Sequence, residues 1–524
     1  MSKKPLGISV ITGRVIAATE KATLFQCLIT VASWIFLRLF LEGVLEGCHR
    51  IGFSTFSYRS ILAYFVHFPM FYLCLFLLLV IIIAAMTGED VKKVTKTSSM
   101  GLFVLLLVPV IDWVFNRGYV ITYPVRLEPY LVGFLNPFVQ LSDIGVSPGQ
   151  RITIVLITLL TGMYGYVKTR SLLRAVLLLV TSLVVIICFG GITTILAGNR
   201  PEYVFVSGSI LYTDTQKFSA IYVLLFSVLF FVFLYIVNRQ RFGGMTKSMR
   251  IERMAFYGAT AILGFFVSTH QLGIKYDGEI FDYLGLTVMF MSLGLGFWSV
   301  QVINDLFDVD VDRIAGKQNP LLHGVPRKHY KILGMCLGLL SLCYALIINF
   351  SALLIISAYL LLGIIYSVPP VRSKRIPLVS TFILAVAVIL SIAIGFSIYY
   401  GVRAMNAIPR KLLVPTLIAV TVGFSAKDID HVVGDKARGI TTLPVLLYQR
   451  GSVFGRLPIA LLISTCYLYY LFFIPQVMVG AIVCASCTFF YTLLTTRPRE
   501  WFYFLSLLAF GGYLLYSILS GPPL

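Results

Sequence analysis

Asn304-Asp305-Leu306-Phe307-Asp308-Val309-Asp310-Val311-Asp312 is the stretch on which the reading of this chain turns. It closes an apolar run from Tyr283 to Ile303 and opens a basic loop from Arg313 to Lys331. Carboxylates at the edge of an apolar run are costly unless something compensates them. On a helix, Asn304, Asp308 and Asp312 stand four apart and share one face. Asp305, Asp308 and Asp312 follow an i, i+3, i+7 pattern and fall on nearly the same face. Carboxylates converging in this way repel one another. A hard divalent cation with oxygen ligands relieves the repulsion, and Mg²⁺ shared with a substrate phosphate is the usual arrangement.

A second stretch, Lys427-Asp428-Ile429-Asp430-His431-Val432-Val433-Gly434-Asp435, repeats the layout of apolar run, acidic end and basic loop. Asp428, His431 and Asp435 repeat the i, i+3, i+7 spacing. Two such ends predict two facing metal sites around one diphosphate.

Composition sets the medium. The chain has 524 residues, 58% hydrophobic and 12% charged. Its repeated apolar runs are long enough to be transmembrane helices rather than a soluble core. The net charge of +20 would suggest nucleic acid in a soluble protein. Here the basic residues fall in short loops between apolar runs, so topology explains them and no nucleic-acid partner is implied. The nine cysteines are scattered, mostly inside apolar runs, and form no disulfide framework. The polar N-terminal stretch, with Lys3, Lys4, Arg14 and Lys21, lacks the pattern of a cleaved signal peptide.

The apolar runs give about six spans in the first part, near 22–42, 60–86, 100–115, 152–166, 174–197 and 219–237. About nine follow, near 254–270, 283–303, 332–349, 351–366, 379–400, 412–426, 457–474, 477–495 and 502–519. The domain reading is therefore an N-terminal membrane domain over 1–237, a basic cytoplasmic linker over 238–253 made flexible by Gly243-Gly244, and a second membrane domain over 254–524. With the N-terminus cytoplasmic, most of the 42 Lys and Arg and both acidic stretches also fall on that side, and the C-terminus lies opposite.

Three segments, in order and each at the end of a span, resemble the motifs of the UbiA superfamily of intramembrane prenyltransferases. The first is Asn304-x3-Asp308-x3-Asp312 with Arg313, Lys317, Asn319 and Pro320 behind it. The second is Tyr366-Ser-Val-Pro-Pro-Val-Arg372-Ser-Lys374. The third runs from Lys427-Asp428 through Gly434-Asp435-Lys436 to Pro444. The resemblance covers 240–524 and leaves the first 240 residues unassigned. It implies an all-α polytopic fold, a nine-helix bundle preceded by about six additional helices. It also implies transfer of a prenyl group from a prenyl diphosphate to an aromatic or other lipid-precursor acceptor within the membrane, as in quinone or isoprenoid-lipid biosynthesis.

In that reading Asn304, Asp308, Asp312, Tyr366 and Asp435 are catalytic. Mg²⁺ is held by Asp305, Asp308 and Asp312 on one side and by Asp428, Asp435 and His431 on the other. Arg313, Lys317, Arg372, Lys374, Lys427 and Lys436 contact the diphosphate, arginine bidentately. The Tyr366 ring faces the diphosphate or the allylic cation. One position departs from the pattern: His431 stands where the family carries an aspartate, and imidazole is a poorer Mg²⁺ ligand than a carboxylate. Asp428, one turn earlier, shares its face.

The first part carries Arg38 and Glu42, four apart on one span, and Asp112 near the outer end of another. Intramembrane charges are functional candidates by default; a local ion pair and an interfacial carboxylate are the plainer explanations. A second functional class, a transporter or membrane scaffold with a degenerate prenyltransferase domain, fits the number of spans and His431. The paired acidic motifs argue against it, because a transporter needs no diphosphate site.

Overall fold

The computed structural model describes residues 8–47, 57–116, 127–135, 146–197, 210–274, 276, 278–316, 319–376, 378–432, 436, 442–449 and 452–522. These residues form helices and turns, without a strand. Among them, 13 helices are long and apolar enough to cross a membrane, and the protein is an integral multi-pass membrane protein. Two further helices match expected spans but fall short of that standard. Ile251–Gln271 is diluted by Gly258, Thr260, Ser268, Thr269 and His270, and Arg410–Gly423 has only 14 residues.

The chain divides into two compact units. One comprises 1–207 with 212–239, the other 208–211 with 240–524. In the N-terminal unit the membrane helices include α1 (Leu24–Glu42), α2 (Phe68–Thr87), α3 (Leu107–Asn116), α4 (Pro148–Thr169), α5 (Leu172–Gly190) and α6 (Asp214–Val237). Local sequence fixes several helix starts. Thr23 with Gln26, Ser147 with Gln150 and Thr213 with Gln216 each form a reciprocal capping box that satisfies backbone N–H groups left open at a helix N-terminus.

The segment 238–253 is more ordered than its glycine pair predicts. Arg239–Thr246 is a helix, α7. Gly244 is needed for close packing rather than flexibility: a Cβ there would lie 2.9 Å from Val325 Cγ2. Met245 and Ser248 are buried behind it.

Among the described residues the C-terminal unit continues with nine long helices: α8 (Ile251–Gln271), α9 (Ile280–Ala315), α10 (Arg327–Ile348), α11 (Phe350–Ser367), α12 (Val379–Tyr400), α13 (Arg410–Gly423), α14 (Val453–Leu468), α15 (Met478–Leu494) and α16 (Glu500–Leu519). Helix α9 has 36 residues, about 54 Å of helix against a hydrocarbon core of ~30 Å. Its acidic last turns therefore extend to the polar boundary while remaining part of one rigid rod. Gly316, at φ 65°, ends it in the left-handed conformation that glycine adopts without strain.

Small residues and hydroxyls pack this rod against its neighbours, as expected where lipid offers no hydrophobic drive for helix association. Ser341 Oγ donates to Ser292 O at 2.6 Å, Ser292 Oγ donates back to Ser341 O at 3.2 Å, and Ser299 Oγ donates to Gly334 O at 2.8 Å, joining α9 to α10. Helices α8 and α12 cross backbone to backbone at Gly264 and Gly395, where any side chain would collide with Ile392 O or Phe265 N.

Candidate active site

The end of α9 places the three motif carboxylates differently. Asp308 faces the loop after α11. Arg372 Nη2 donates to Asp308 Oδ1 at 2.7 Å, and Lys374 Nζ donates to Asp308 Oδ2. Lys374 also donates to Asn304 Oδ1 at 2.8 Å, which accepts from Ser367 Oγ at 3.1 Å. The loop is shaped for this. Arg372 sits in the left-handed region at φ 38° and Ser373–Arg375 forms a 3-10 turn. A non-glycine residue at positive φ is costly and persists where its surroundings hold it. Here Arg372 is anchored to the end of α9 by bonds to Phe307 O, at 3.2 Å, and to Asp308.

Asp305 does not join Asp308 as the spacing predicts. A three-residue step leaves two side chains about 60° apart around a helix, enough for different neighbours to claim them. Tyr330 of α10 donates to Asp305 Oδ2 at 2.7 Å, and Tyr330 in turn lies 3.0 Å from Ser248 Oγ. Gln301 Nε2 donates to Ser248 O. Asp312 Oδ2 accepts from Asn319 Nδ2 at 2.8 Å; the same amide donates to Asp305 O at 2.9 Å, tying the following loop to the helix. All three carboxylates are buried.

A cavity of about 160 Å³ opens beside Asp308. Asn304, Asp308, Tyr366, Arg372 and Lys374 line it, so five of the residues expected at the site are brought together. Tyr257, Phe297, Tyr359 and Leu362 supply an aromatic and apolar wall. Arg313 is elsewhere. Five residues beyond Asp308, it is turned about 140° around the helix, exposed, with Nη1 4.0 Å from Asp310. The Lys436 side chain is exposed. Lys317 and Asp435 lie outside the described residues, as do the side chains of Lys427, Asp428 and His431. The backbone of those last three runs in a 3-10 helix from Phe424 to His431.

Arg250, Arg253, Arg375 and Thr442 also line the cavity, and motif reading missed them. Arg250 and Arg253 lie in the stretch read as linker and are one helical turn apart, a spacing easily taken for positive-inside topology. Glu500 of α16 binds Arg253 and stands 3.9 Å from Arg250. Burial works against the charge on Arg250, and the carboxylates of Glu500, Asp305, Asp312 and Glu252 outweigh it, so its pKa is raised.

Among the described residues no three His, Cys, Asp or Glu side chains are grouped closely enough to hold a metal by themselves. The cavity wall nonetheless fits Mg²⁺ in kind. Asp308 and Asn304 present oxygen donors, and Mg²⁺ in phosphate sites takes one or two carboxylates and fills its remaining positions with water and phosphate oxygens.

Residues 259–520, half of the chain, match the model of the UbiA prenyltransferase family. The chain is 30% identical over 176 residues to a homogentisate phytyltransferase of Synechocystis sp., covering 32% of this chain and 55% of that protein. It is 27% identical over 232 residues to a digeranylgeranylglyceryl phosphate synthase of Sulfolobus acidocaldarius, covering 42% of this chain and 76% of that one. A UbiA homolog from Archaeoglobus fulgidus, solved bound to DMAPP and Mg²⁺, aligns with a TM-score of 0.37 at 18% identity, over 53% of this chain and 99% of its own. The match runs from within α8 to the last turns of α16 and takes in all three motif segments, and on it the chain belongs to the UbiA prenyltransferase family.

Proposed function

We propose that the C-terminal unit is an intramembrane prenyltransferase that moves a prenyl group from a prenyl diphosphate to a lipid-soluble or aromatic acceptor. The observation that carries this reading is the cavity lined by Asp308, paired with Arg372 and Lys374, by Asn304 and by the rings of Tyr257, Phe297, Tyr359 and Tyr366. Breaking the allylic C–O bond releases a diphosphate and leaves an allylic cation. Fixed positive groups aimed at the departing charge are the largest stabilising effect available to such a site.

Lys374 and Arg372 supply that charge. Both are bonded to Asp308 and line the cavity beside it. Arg372 presents a planar fork suited to phosphate oxygens. Mg²⁺ held by Asp308 and Asn304, with Asp312 one turn further on the same stripe and Asp435 from the second motif, would neutralise diphosphate charge. Asp305 has a different task in this reading: bonded to Tyr330, it holds the end of α9 in register. Tyr366, Tyr257 and Tyr359 offer ring faces to the allylic cation, and the apolar helices behind them accommodate the prenyl tail. Both motifs open on the cytoplasmic side, where the basic loops belong.

The test is lipid analysis of membranes containing the protein after incubation with labelled prenyl diphosphate, with and without Mg²⁺. The expected result is a labelled lipid formed only with the cation, whose mass identifies the acceptor. Absence of any labelled product, from folded protein supplied with a full lipid extract, overturns the reading in favour of transport or scaffolding.

A further inference from the structure

The start of α14 holds a cation that the catalytic reading does not use. Arg456 lies in the first turn of that helix and is 5% exposed. Its Nε and Nη1 are enclosed and have no hydrogen-bond partner, which leaves three of the five guanidinium N–H donors unmet. Arg456 is not among the residues that line the cavity beside Asp308, so a diphosphate bound there does not complete it. Its neighbours do not either. Ile459 and Ile463, three and seven residues further along the same helix face, pack with Ala426, Ile429, Tyr448 and Tyr503. Glu500, one turn before Tyr503 on α16, is taken by Arg253.

The helix start adds to the same charge. Ser452 caps α14, its Oγ 3.5 Å from Gly455 N, and the N–H groups of Val453 and Phe454 come too early in the helix to bond within it. Helical side chains lean toward the N-terminus, so the Arg456 guanidinium and these N–H groups belong to one end. A helix N-terminus favours an anion, and an unpaired guanidinium among apolar residues is costly until an anion pairs with it.

The surroundings identify what carries the anion. Helix α14 opens a stretch, Val453–Phe472, long and apolar enough to cross a membrane, so its N-terminus stands at the depth of lipid phosphates. Val453 and Phe454 are exposed, Phe454 to 85%, as is Leu446 in the short helix Leu443–Leu447 packed on α14. Apolar side chains around one cation at that depth suit acyl chains beneath a phosphate, whereas a soluble anion leaves them in water. The basic loops put this end on the cytoplasmic side, whose leaflet carries anionic lipid.

We propose that Arg456 and the N-terminus of α14 bind the phosphate of an anionic phospholipid of the cytoplasmic leaflet, with Val453 and Phe454 against its acyl chains. The experiment is thermal unfolding of the purified, delipidated full-length chain in a nonionic detergent, titrated with phosphatidylglycerol, phosphatidylcholine or inorganic phosphate. A ligand that binds only the folded state raises the midpoint as its site fills. In the wild type the apparent Kd for phosphatidylglycerol is about tenfold below that for phosphatidylcholine, the scale of one charge-assisted bond. In Arg456→Met the two lipids become equal, and Arg456→Lys keeps part of the preference. Without lipid, Arg456→Met unfolds at or above the wild-type midpoint, because it removes a buried charge that no protein group pairs.

That last readout separates a lipid site from a structural arginine. A lower midpoint without lipid, or failure of both variants to fold, overturns the proposal, because it shows a partner within the protein. Equal effects of the two lipids on the wild type overturn it, as does a preference for phosphatidylglycerol that survives Arg456→Met. Inorganic phosphate acting as well as phosphatidylglycerol overturns it in favour of a soluble anion. A raised KM for prenyl diphosphate in folded Arg456→Met overturns it too, because it assigns Arg456 to the donor.

Discussion

Arg38 and Asp112 in the N-terminal unit, each 2% exposed, are as deeply buried as Asp305, Asp308 and Asp312 in the C-terminal one. Their partners separate the two groups. Arg38 pairs with Glu42 one turn along the same helix. Asp112 accepts from Gly149 N at 2.7 Å and from Ser147 Oγ, so it closes the open N-terminus of α4. The Arg38 partner lies on the same helix, and the Asp112 partners lie at the start of α4. Asp308 is held by two cations from a loop far away in sequence, and acid and cations all line a cavity. Burial alone therefore does not mark a functional charge in a membrane; for Asp308 the mark is two cations from a distant loop that line a cavity with it.

The sharpest way to break that contrast is to remove Asp308. Asp308→Ala should lower turnover about a hundredfold or more, the scale of losing a group that stabilises transition-state charge, with the helical far-ultraviolet signal intact. Turnover within twofold of wild type would leave the cavity without its proposed chemistry. Lys374→Ala should cost somewhat less, roughly ten- to a hundredfold, since Arg372 remains on the same wall. The loss should appear with the donor rather than the acceptor as the varied substrate.

Much of this contrast is legible in sequence. The fold class followed from apolar runs and loop charge, and each expected span has a helix. Asn304 and Asp308 followed from their spacing on one helix, whereas Arg372 and Lys374 followed from the resemblance of the Tyr366–Lys374 segment to a family motif. Spacing could not separate Asp305 from Asp308. The divergence arises because Tyr330 and Lys374 approach α9 from different sides, and that is a property of packing. Arg250 and Arg253 were hidden for a related reason. Their partner Glu500 is at the other end of the unit in sequence, and two arginines before a span look like topology until the cavity is seen.

A smaller effect sharpens the N-terminal side. Asp112→Ala removes the acceptor for Gly149 N and Ser147 Oγ. Each buried donor left without a partner costs about 1–3 kcal/mol. The expected outcome is a lower midpoint of thermal unfolding in detergent, with prenyl transfer per folded molecule unchanged. A selective loss of transfer at wild-type stability would show that Asp112 is a working charge.

The smallest net effect is expected of a double substitution, and it is the most discriminating. Arg38 and Glu42 are paired with side chains 3% and 17% exposed. Removing one partner of a buried pair leaves the other uncompensated and costs about 3–5 kcal/mol, whereas replacing both by apolar residues of similar volume is often neutral or stabilising. Arg38 also lies over the Tyr72 ring, its guanidinium carbon 5.1 Å from the centroid, and a methionine retains much of that apolar contact. Glu42→Leu alone should therefore destabilise the unit clearly, while Arg38→Met combined with Glu42→Leu should unfold within a few degrees of wild type. If the charges are a closed pair, the double variant rescues the single one. If the double variant is as damaged as the single, the pair answers to something beyond itself, and the N-terminal unit holds a charge with a function after all.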